Sequence, residues 1–355
     1  MNPRTRFVLR RLALLVPSLL ALSIFVFALI RLVPGDPART MLGFRATPEA
    51  VATVRSDLRL DESLPAQYLH WLGGLVQGDL GRDYISGDSV GHLIGQKLPV
   101  TLELVVGAMA LAVLVGVPLG VLAVSGARWT RHLTQGFVVA GIAVPDFWLG
   151  TLLVLLFAAT LNWLPPSGWV GLAEDPVGNL RYIALPVLTL AIGEAAYILR
   201  TTRSAMLDTL GEPYITFLRA RGVRERSILF RHALRNAAVP IVTVVGIQFG
   251  VLLGGAIVVE TIFGLPGLGR LVVTAINQRD YTVVQGGVLV IAAIFVVVNL
   301  LTDLAYGLLD PRVEEGRTGR PSARRPSSRA RAACACTARS ARAAGSWAPR
   351  SCSCW

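Results

Sequence analysis

The chain has 355 residues, of which 53% are hydrophobic and 16% charged, with a mean hydropathy of +0.58 and a formal net charge of +12. Soluble domains carry about 25% charged residues, so the composition points to a membrane protein before any motif is read. The positive charge is a poor guide to partners, because residues 313–355 hold nine Arg and only two Glu and supply more than half of it. All four cysteines (Cys334, Cys336, Cys352 and Cys354) lie in that same tail. The rest of the chain therefore offers no disulfide framework, no cysteine metal cluster and no thiol nucleophile.

A helix needs about 20 apolar residues to cross a bilayer, and six runs qualify. The first, 12–30, follows Arg4, Arg6, Arg10 and Arg11. It is longer than the roughly 7–15-residue core of a signal peptide and ends in VPGDP, a poor cleavage site, so an uncleaved span is expected. A segment at 34–99 follows, too short for a robust soluble core. Within it, Thr47-Pro48-Glu49 reads as a helix start with Thr47 as N-cap and Pro at the first helical position. A second helix is predicted over 64–76, with Tyr68, Leu72 and Leu75 on one face and Trp71 beside them. The glycine-rich GDLGRDYISGDSVG after it reads as turns and loop, and the whole segment as a small helical cap.

The second span is placed at 104–124, the third at 137–161 with Asp146, and the fourth at 182–199 with Glu194. The fifth and sixth are placed at 236–259 and 281–302. Pro145 and Pro186 should kink the third and fourth, since proline removes a backbone donor and clashes with the preceding turn. Short-loop arginines set orientation. Arg128 and Arg131 follow the second span, the 162–180 loop carries Glu174 and Asp175 in place of bases near the apolar ends, and 211–240 is strongly basic. Both termini and the 211–240 loop are thus expected in the cytoplasm and 34–99 outside. Acids in a membrane cost about 2.5–3.5 kcal/mol each on insertion scales. Asp146 and Glu194 are deep enough to line a polar pathway or pair with an Arg, whereas Glu260 and Asp303, close to span ends, are expected to be solvated.

The 211–240 loop carries Arg219, Arg221, Arg224, Arg226, Arg231 and Arg235 against Glu212 and Glu225. Pro213 suits a first helical position with Glu212 beside the helix N-terminus. Tyr214, Phe217, Leu218 and Arg221 recur at helical spacing, and Gly222 ends the helix. Aromatic residues flanked by arginine are favoured at protein interfaces. Beyond the glycine, Leu229, Ala233, Asn236 and Ala237 are predicted to face the bundle, and Arg224, Arg231 and Arg235 water or a partner's acids. His232 reads as a helix-surface residue.

ATP hydrolysis is not expected of this chain. A phosphate-binding loop of the Walker type ends in Gly-Lys-Ser/Thr, and the one lysine, Lys97, stands between Gln96 and Leu98. Four histidines (His70, His92, His132 and His232) are scattered singly, without metal-ligand spacing. No catalytic residue, cofactor, metal or nucleic-acid partner is expected.

Several stretches together carry a family resemblance: PGDP at 34–37, QYLHWLGGLVQGDLGRDY at 67–84 and LPVTLEL at 98–104. VPDFWLGTLLVLLFA at 144–158, NWLPPSGW at 162–169 and RARGVRERSILFRHALRNAAVP at 219–240 follow. ETIFGLPGLGRLVVTAINQRDYTVVQG at 260–287 and DLAYGLLDPRV at 303–313 complete the set. In order and spacing the chain resembles the permease subunits of binding-protein-dependent ABC importers, of the dipeptide/oligopeptide/nickel type, and the first of the two permease kinds. The resemblance implies an all-α fold of six transmembrane helices, an extracytoplasmic helical segment after the first, and a cytoplasmic coupling helix between the fourth and fifth. It divides the chain into 1–33, 34–99, a permease core at 100–312 and the tail at 313–355. It also implies a prokaryotic plasma membrane, a homologous second permease, two cytoplasmic ATPase subunits and an extracytoplasmic solute-binding protein.

The coupling loop of that family is named for Glu-Ala-Ala followed by glycine. Glu194-Ala195-Ala196 matches it literally but lies inside the fourth span. Counting back from Gly222 puts Thr216-Phe217-Leu218 at the triplet instead, and Pro213 where an acid is common. The residues assigned to ATPase coupling are Tyr214, Phe217, Leu218, Arg219, Ala220, Arg221, Gly222, Arg224, Arg231, His232 and Arg235. The tail is low in complexity and read as disordered or frameshifted; as a genuine basic tail it would meet acidic lipid headgroups. The competing functions are an ion-gradient-driven transporter, which calls for paired intramembrane acids or an internal repeat, and a membrane scaffold, which leaves the basic loop without a purpose.

Overall fold

The computed structural model describes residues 3–31, 36–43, 46–125 and 128–309; the expectations for 313–355 lie outside them. Among the described residues the fold is all-helical, apart from one isolated bridge between Arg82 and Ser89. Four helices among the described residues are long and apolar enough to cross a membrane: Val90–Ser125, Pro176–Leu210, Glu225–Ile262 and Tyr281–Ala305. A fifth crossing results if the bent pair Arg128–Ala143 and Asp146–Thr160 counts as one. The first expected span lies on α1 (Pro3–Arg31), whose apolar part runs Leu12–Ala28.

Within 34–99, helices begin at Pro48 and Leu64 as the sequence predicts, and a short helix at Pro37–Leu42 precedes them. α2 (Pro37–Leu42) is capped by Asp36, and α3 (Pro48–Asp57) by Thr47, whose hydroxyl accepts from the Ala50 amide at 3.2 Å. Pro48 opens α3 where its missing N–H costs nothing. α4 (Leu64–Val76) coincides with the predicted range, and Tyr68 and Trp71 of α4 meet Phe27 of α1 in an aromatic cluster, with ring centroids 5.5 and 5.8 Å from Phe27. The Tyr68 hydroxyl also shares a hydrogen bond with Ser23 at 2.8 Å.

α5 (Val90–Ser125) and α8 (Pro176–Leu210) form the centre of the bundle. They approach closely because α5 presents glycine: a Cβ on Gly116 would stand 2.8 Å from the Ala195 carbonyl, and one on Gly120 2.5 Å from the Thr202 Cβ. α6 (Arg128–Ala143) uses the same device, since Gly141 lies against Ala196. Leu104, Ala108, Leu190 and Ile198 fill the core between these helices, and Leu252 and Ala256 of α11 (Leu234–Ile262) close it.

The third expected span departs from a kinked helix. α6 stops at Ala143, and α7 (Asp146–Leu153), continued by a π-helical turn to Thr160, leaves at 103°. Pro145 is the cause: it sits extended at φ −65°, ψ 140° as the N-cap of α7, and the residue before a proline is driven from the helical region. Pro186, by contrast, lies inside a continuous α8.

The second half continues through α9 (Pro213–Ala220), α10 (Glu225–Ser227) and a π-helical turn at Ile228–Ala233 that runs into α11. α12 (Leu268–Gln278) and α13 (Tyr281–Leu309) complete the chain, α13 packing on α11 and α1.

Candidate functional site

The basic loop forms a short helix with defined ends. Pro213 is the first residue of α9 and Glu212 its N-cap. At the other end Gly222 adopts φ +75°; its amide bonds to the Arg219 carbonyl at 2.9 Å and the Val223 amide to the Leu218 carbonyl at 3.2 Å. These two bonds are the paired closure that a glycine after the last turn permits. The side turned inward is that of Ile215, which lies outside the Tyr214, Phe217, Leu218 and Arg221 stripe. Ile215 is wholly buried, whereas Phe217 is 61% exposed and Tyr214 and Ala220 are exposed. Ile215 roots the helix, and a fully apolar β-branched residue one place from the tyrosine was the signal for it.

Two of the assigned arginines are held by neighbours. Arg219 makes a two-point ion pair with Glu225, at 3.2 and 2.7 Å. Arg221 lies over the Phe217 ring at 5.6 Å, which stiffens an aromatic side chain projecting outward. Arg224, Arg231 and Arg235 are exposed as read, with His232 half-buried and Leu218 partly so. Leu229, Ala233 and Ala237 pack on Met206 of α8 and Val121 of α5. Asn236 is the exception: it is exposed and donates to the Tyr214 hydroxyl at 2.6 Å, tying α9 to α11. The literal Glu194-Ala195-Ala196 triplet is buried within α8, against Gly116 and Gly141, and presents no surface for a partner.

Asp146 and Glu194 come together although nearly fifty positions separate them. Asp146, at the start of α7, places its carboxylate 3.4 Å from where a Cβ would stand on Gly193 of α8 and on Gly255 of α11. Glu194 is 7% exposed and accepts from Gln248 Nε2 of α11 at 2.7 Å, and the two carboxylates act on each other electrostatically. The break at Pro145 makes this meeting possible, because it turns the start of α7 onto α8. Sequence spacing gives no sign of it.

Glu260 overturns its expectation. It is wholly buried, not solvated. Its carboxylate accepts from the Thr101 hydroxyl of α5 at 2.5 Å and from the Arg270 amide at 2.8 Å, and the Thr101 oxygen accepts from the Leu268 amide at 2.8 Å. A carboxylate at a helix N-terminus satisfies amides that have no partner within the helix. The PGLG turn allows it, because a Cβ on Gly267 would overlap the Glu260 carboxylate. Asp303 is half-buried on α13 and lines a shallow cleft with Leu14, Leu15 and Ser18 of α1.

These features define a polytopic helical membrane protein with a polar junction inside the bundle and a short aromatic helix projecting from it. Residues 112–315 match the family described as binding-protein-dependent transport system inner membrane component, and residues 4–105 match that family's N-terminal membrane component. The chain belongs to this family of multi-pass transport permeases. A protein of Brucella abortus (strain 2308) named as a peptide transport system permease is 42% identical over 310 residues, covering 87% of this chain and 99% of its own length. The dipeptide transport system permease protein DppB of Escherichia coli (strain K12) is 40% identical over 333 residues, covering 87% and 98%. An inward-facing structure of the MetNI methionine ABC transporter aligns at 16% identity and a TM-score of 0.49, covering 61% of this chain and 96% of that one. At that level it adds nothing to the sequence relationship. Family membership sets aside the ion-gradient transporter and the scaffold.

Proposed function

We propose that this chain is one of two permease subunits of an ATP-driven importer for peptides, with substrate delivered by an extracytoplasmic binding protein. The near full-length identity to peptide permeases supports the substrate class. On this reading the chain crosses the membrane six times, the first crossing on α1 and the third on the bent α6–α7 pair. Both termini and α9 lie in the cytoplasm and 34–99 outside. Exposed apolar side chains such as Leu114 and Val139 meet lipid or the homologous second permease.

The observation that carries the mechanism is the projection of Phe217 from a helix rooted by Ile215 and closed by Gly222. An exposed aromatic braced by arginine suits a groove in one of two cytoplasmic ATPase subunits. Closure of those subunits around ATP would push α9 as a rigid body. Asn236 and the packing of Leu229 and Ala233 would pass the movement to α11 and α8, turning the cavity between the permeases outward. Hydrolysis would reset it. Asp146 and Glu194 are the polar groups on this route, and their carboxyl oxygens suit the ammonium group of a peptide passing between the two permeases.

The test is Phe217→Glu in the assembled importer. ATPase activity should persist while peptide uptake falls to background. Uptake at the unsubstituted level would sink the mechanism.

A further inference from the structure

We propose that Asp83 and Asp280 form a proton-binding site that fastens the 80–90 hairpin to the junction of α12 and α13.

Asp280 is the N-cap of α13 and is 2% exposed. Its Oδ1 accepts from the Thr282 and Val283 amides, both at 3.0 Å. Its Oδ2 is buried and makes no hydrogen bond of good geometry among the described residues, with the Tyr84 backbone amide the other group that acts on this carboxyl. The carboxyl of Asp83 neighbours that of Asp280, and the two act on each other electrostatically. Asp83 is itself committed elsewhere: Oδ1 accepts from the Ile85 amide at 2.7 Å and Oδ2 from the Ser86 hydroxyl at 2.7 Å.

Two ionised carboxylates are acceptors only, so this contact lacks a hydrogen unless one group is protonated. A single proton on Asp280 Oδ2, donated to Asp83, supplies the missing bond and removes the repulsion. Like-charged carboxylates that share a site hold one proton for this reason. Burial first, and then the neighbouring Asp83, push the Asp280 carboxyl up to about 7.

The surroundings fix the pair in place. Gly81 lies against Thr282, where a Cβ would stand 2.6 Å from the threonine methyl, and Gly286 against Val90, where a Cβ would stand 2.7 Å away. The hairpin is closed by the Val90 amide on the Gly81 carbonyl at 3.0 Å and the Asp83 amide on the Asp88 carbonyl at 2.9 Å. From the elements packed around the pair, Arg82 of the hairpin and Asp57 of α3 act on Tyr84. Burial and then Asp57 and Asp280 push the Tyr84 hydroxyl up to about 12, so it stays neutral. Arg279, at the end of α12, is exposed.

The sign follows from linkage. The fastened form binds one proton more than the released form between the ordinary aspartate range, about 4, and about 7. Fastening is therefore strongest at acid pH, weakens as pH rises toward 7 and levels off above it.

Hydrogen exchange on the full-length chain in lipid nanodiscs, read as protection factors from pH 5 to 8, tests the site. Protection at the Asp83 and Val90 amides should fall as pH rises, by up to about tenfold per pH unit below 7 for one linked proton. Asp280→Asn supplies a permanent N–H to Asp83, and Asp83→Asn a permanent N–H to Asp280. Either should abolish the slope while keeping the hairpin protected. A flat wild-type profile, or a wild-type slope surviving in a variant, overturns the proposal. If one variant fails to fold, the other gives the same comparison.

Discussion

Glu260 of α11 and Thr101 of α5 are 159 positions apart and share a buried 2.5 Å hydrogen bond, with the Thr101 oxygen accepting in turn from the first amide of α12. This contact joins three helices through two side chains. A buried donor or acceptor left without its partner costs about 1–3 kcal/mol, more when a charge is involved. Glu260→Ala strands the Thr101 hydroxyl and the Arg270 amide together and should lower detergent-solubilised stability by more than Thr101→Ser, which keeps the oxygen. Equal melting temperatures for Glu260→Ala and the unsubstituted protein would contradict the arrangement.

Gly267→Ala probes the same knot from the backbone. Its Cβ would overlap the Glu260 carboxylate, and overpacking of a filled site costs about 1–3 kcal/mol. Gly254, beside which no atom lies within 4 Å of the added Cβ, is the control. Thermal unfolding should separate the two substitutions, with Gly254→Ala close to neutral.

The roles of Ile215 and Phe217 should separate cleanly. Ile215→Ala removes buried apolar volume, which costs about 2–5 kcal/mol in a packed site, and should lower stability. Phe217→Ala removes an exposed ring and should leave stability within about 0.5 kcal/mol while reducing peptide uptake in the assembled importer. A destabilised Phe217→Ala with normal uptake would reverse the assignment of the two faces.

Gly222 occupies the left-handed region with open space around it. Gly222→Ala should therefore cost only backbone strain, about 1–2 kcal/mol, with no steric clash. Gly120→Ala should cost more, because its Cβ meets Thr202. Comparison of the two melting temperatures checks the order.

Thr202 in α8 is wholly buried, and its Oγ1 has no hydrogen-bond partner among the described residues. Thr202→Val replaces an unpaired hydroxyl by a methyl of similar shape. The expected outcome is an unchanged or raised melting temperature, since removing an unsatisfied buried group recovers its desolvation cost. A loss of more than about 1 kcal/mol would show that the hydroxyl makes a bond after all.

The sequence by itself determined the membrane class, the helix starts at Pro48 and Leu64 and the ends of α9. These depend on local chemistry. Thr47 caps α3 because its oxygen lies within reach of an amide three residues on, and Pro213 and Gly222 set the limits of α9 through their own backbone preferences. The α4 range was legible from the helical spacing of Tyr68, Leu72 and Leu75.

Only the tertiary structure decided which polar groups meet. Glu260 reads as an acid near a span end, and nothing near it in the chain foretells Thr101. Asp146 and Glu194 adjoin because Pro145 breaks a helix by 103°, where the sequence predicts only a kink. Asp83 and Asp280 sit in two Arg-Asp-Tyr triplets nearly two hundred residues apart, and their contact depends on glycines that let a hairpin lie flat on α13. Helical periodicity reports which residues share a face of one helix. It carries no information about which face of another helix lies opposite, and close glycine packing with buried hydrogen bonds settles that in three dimensions.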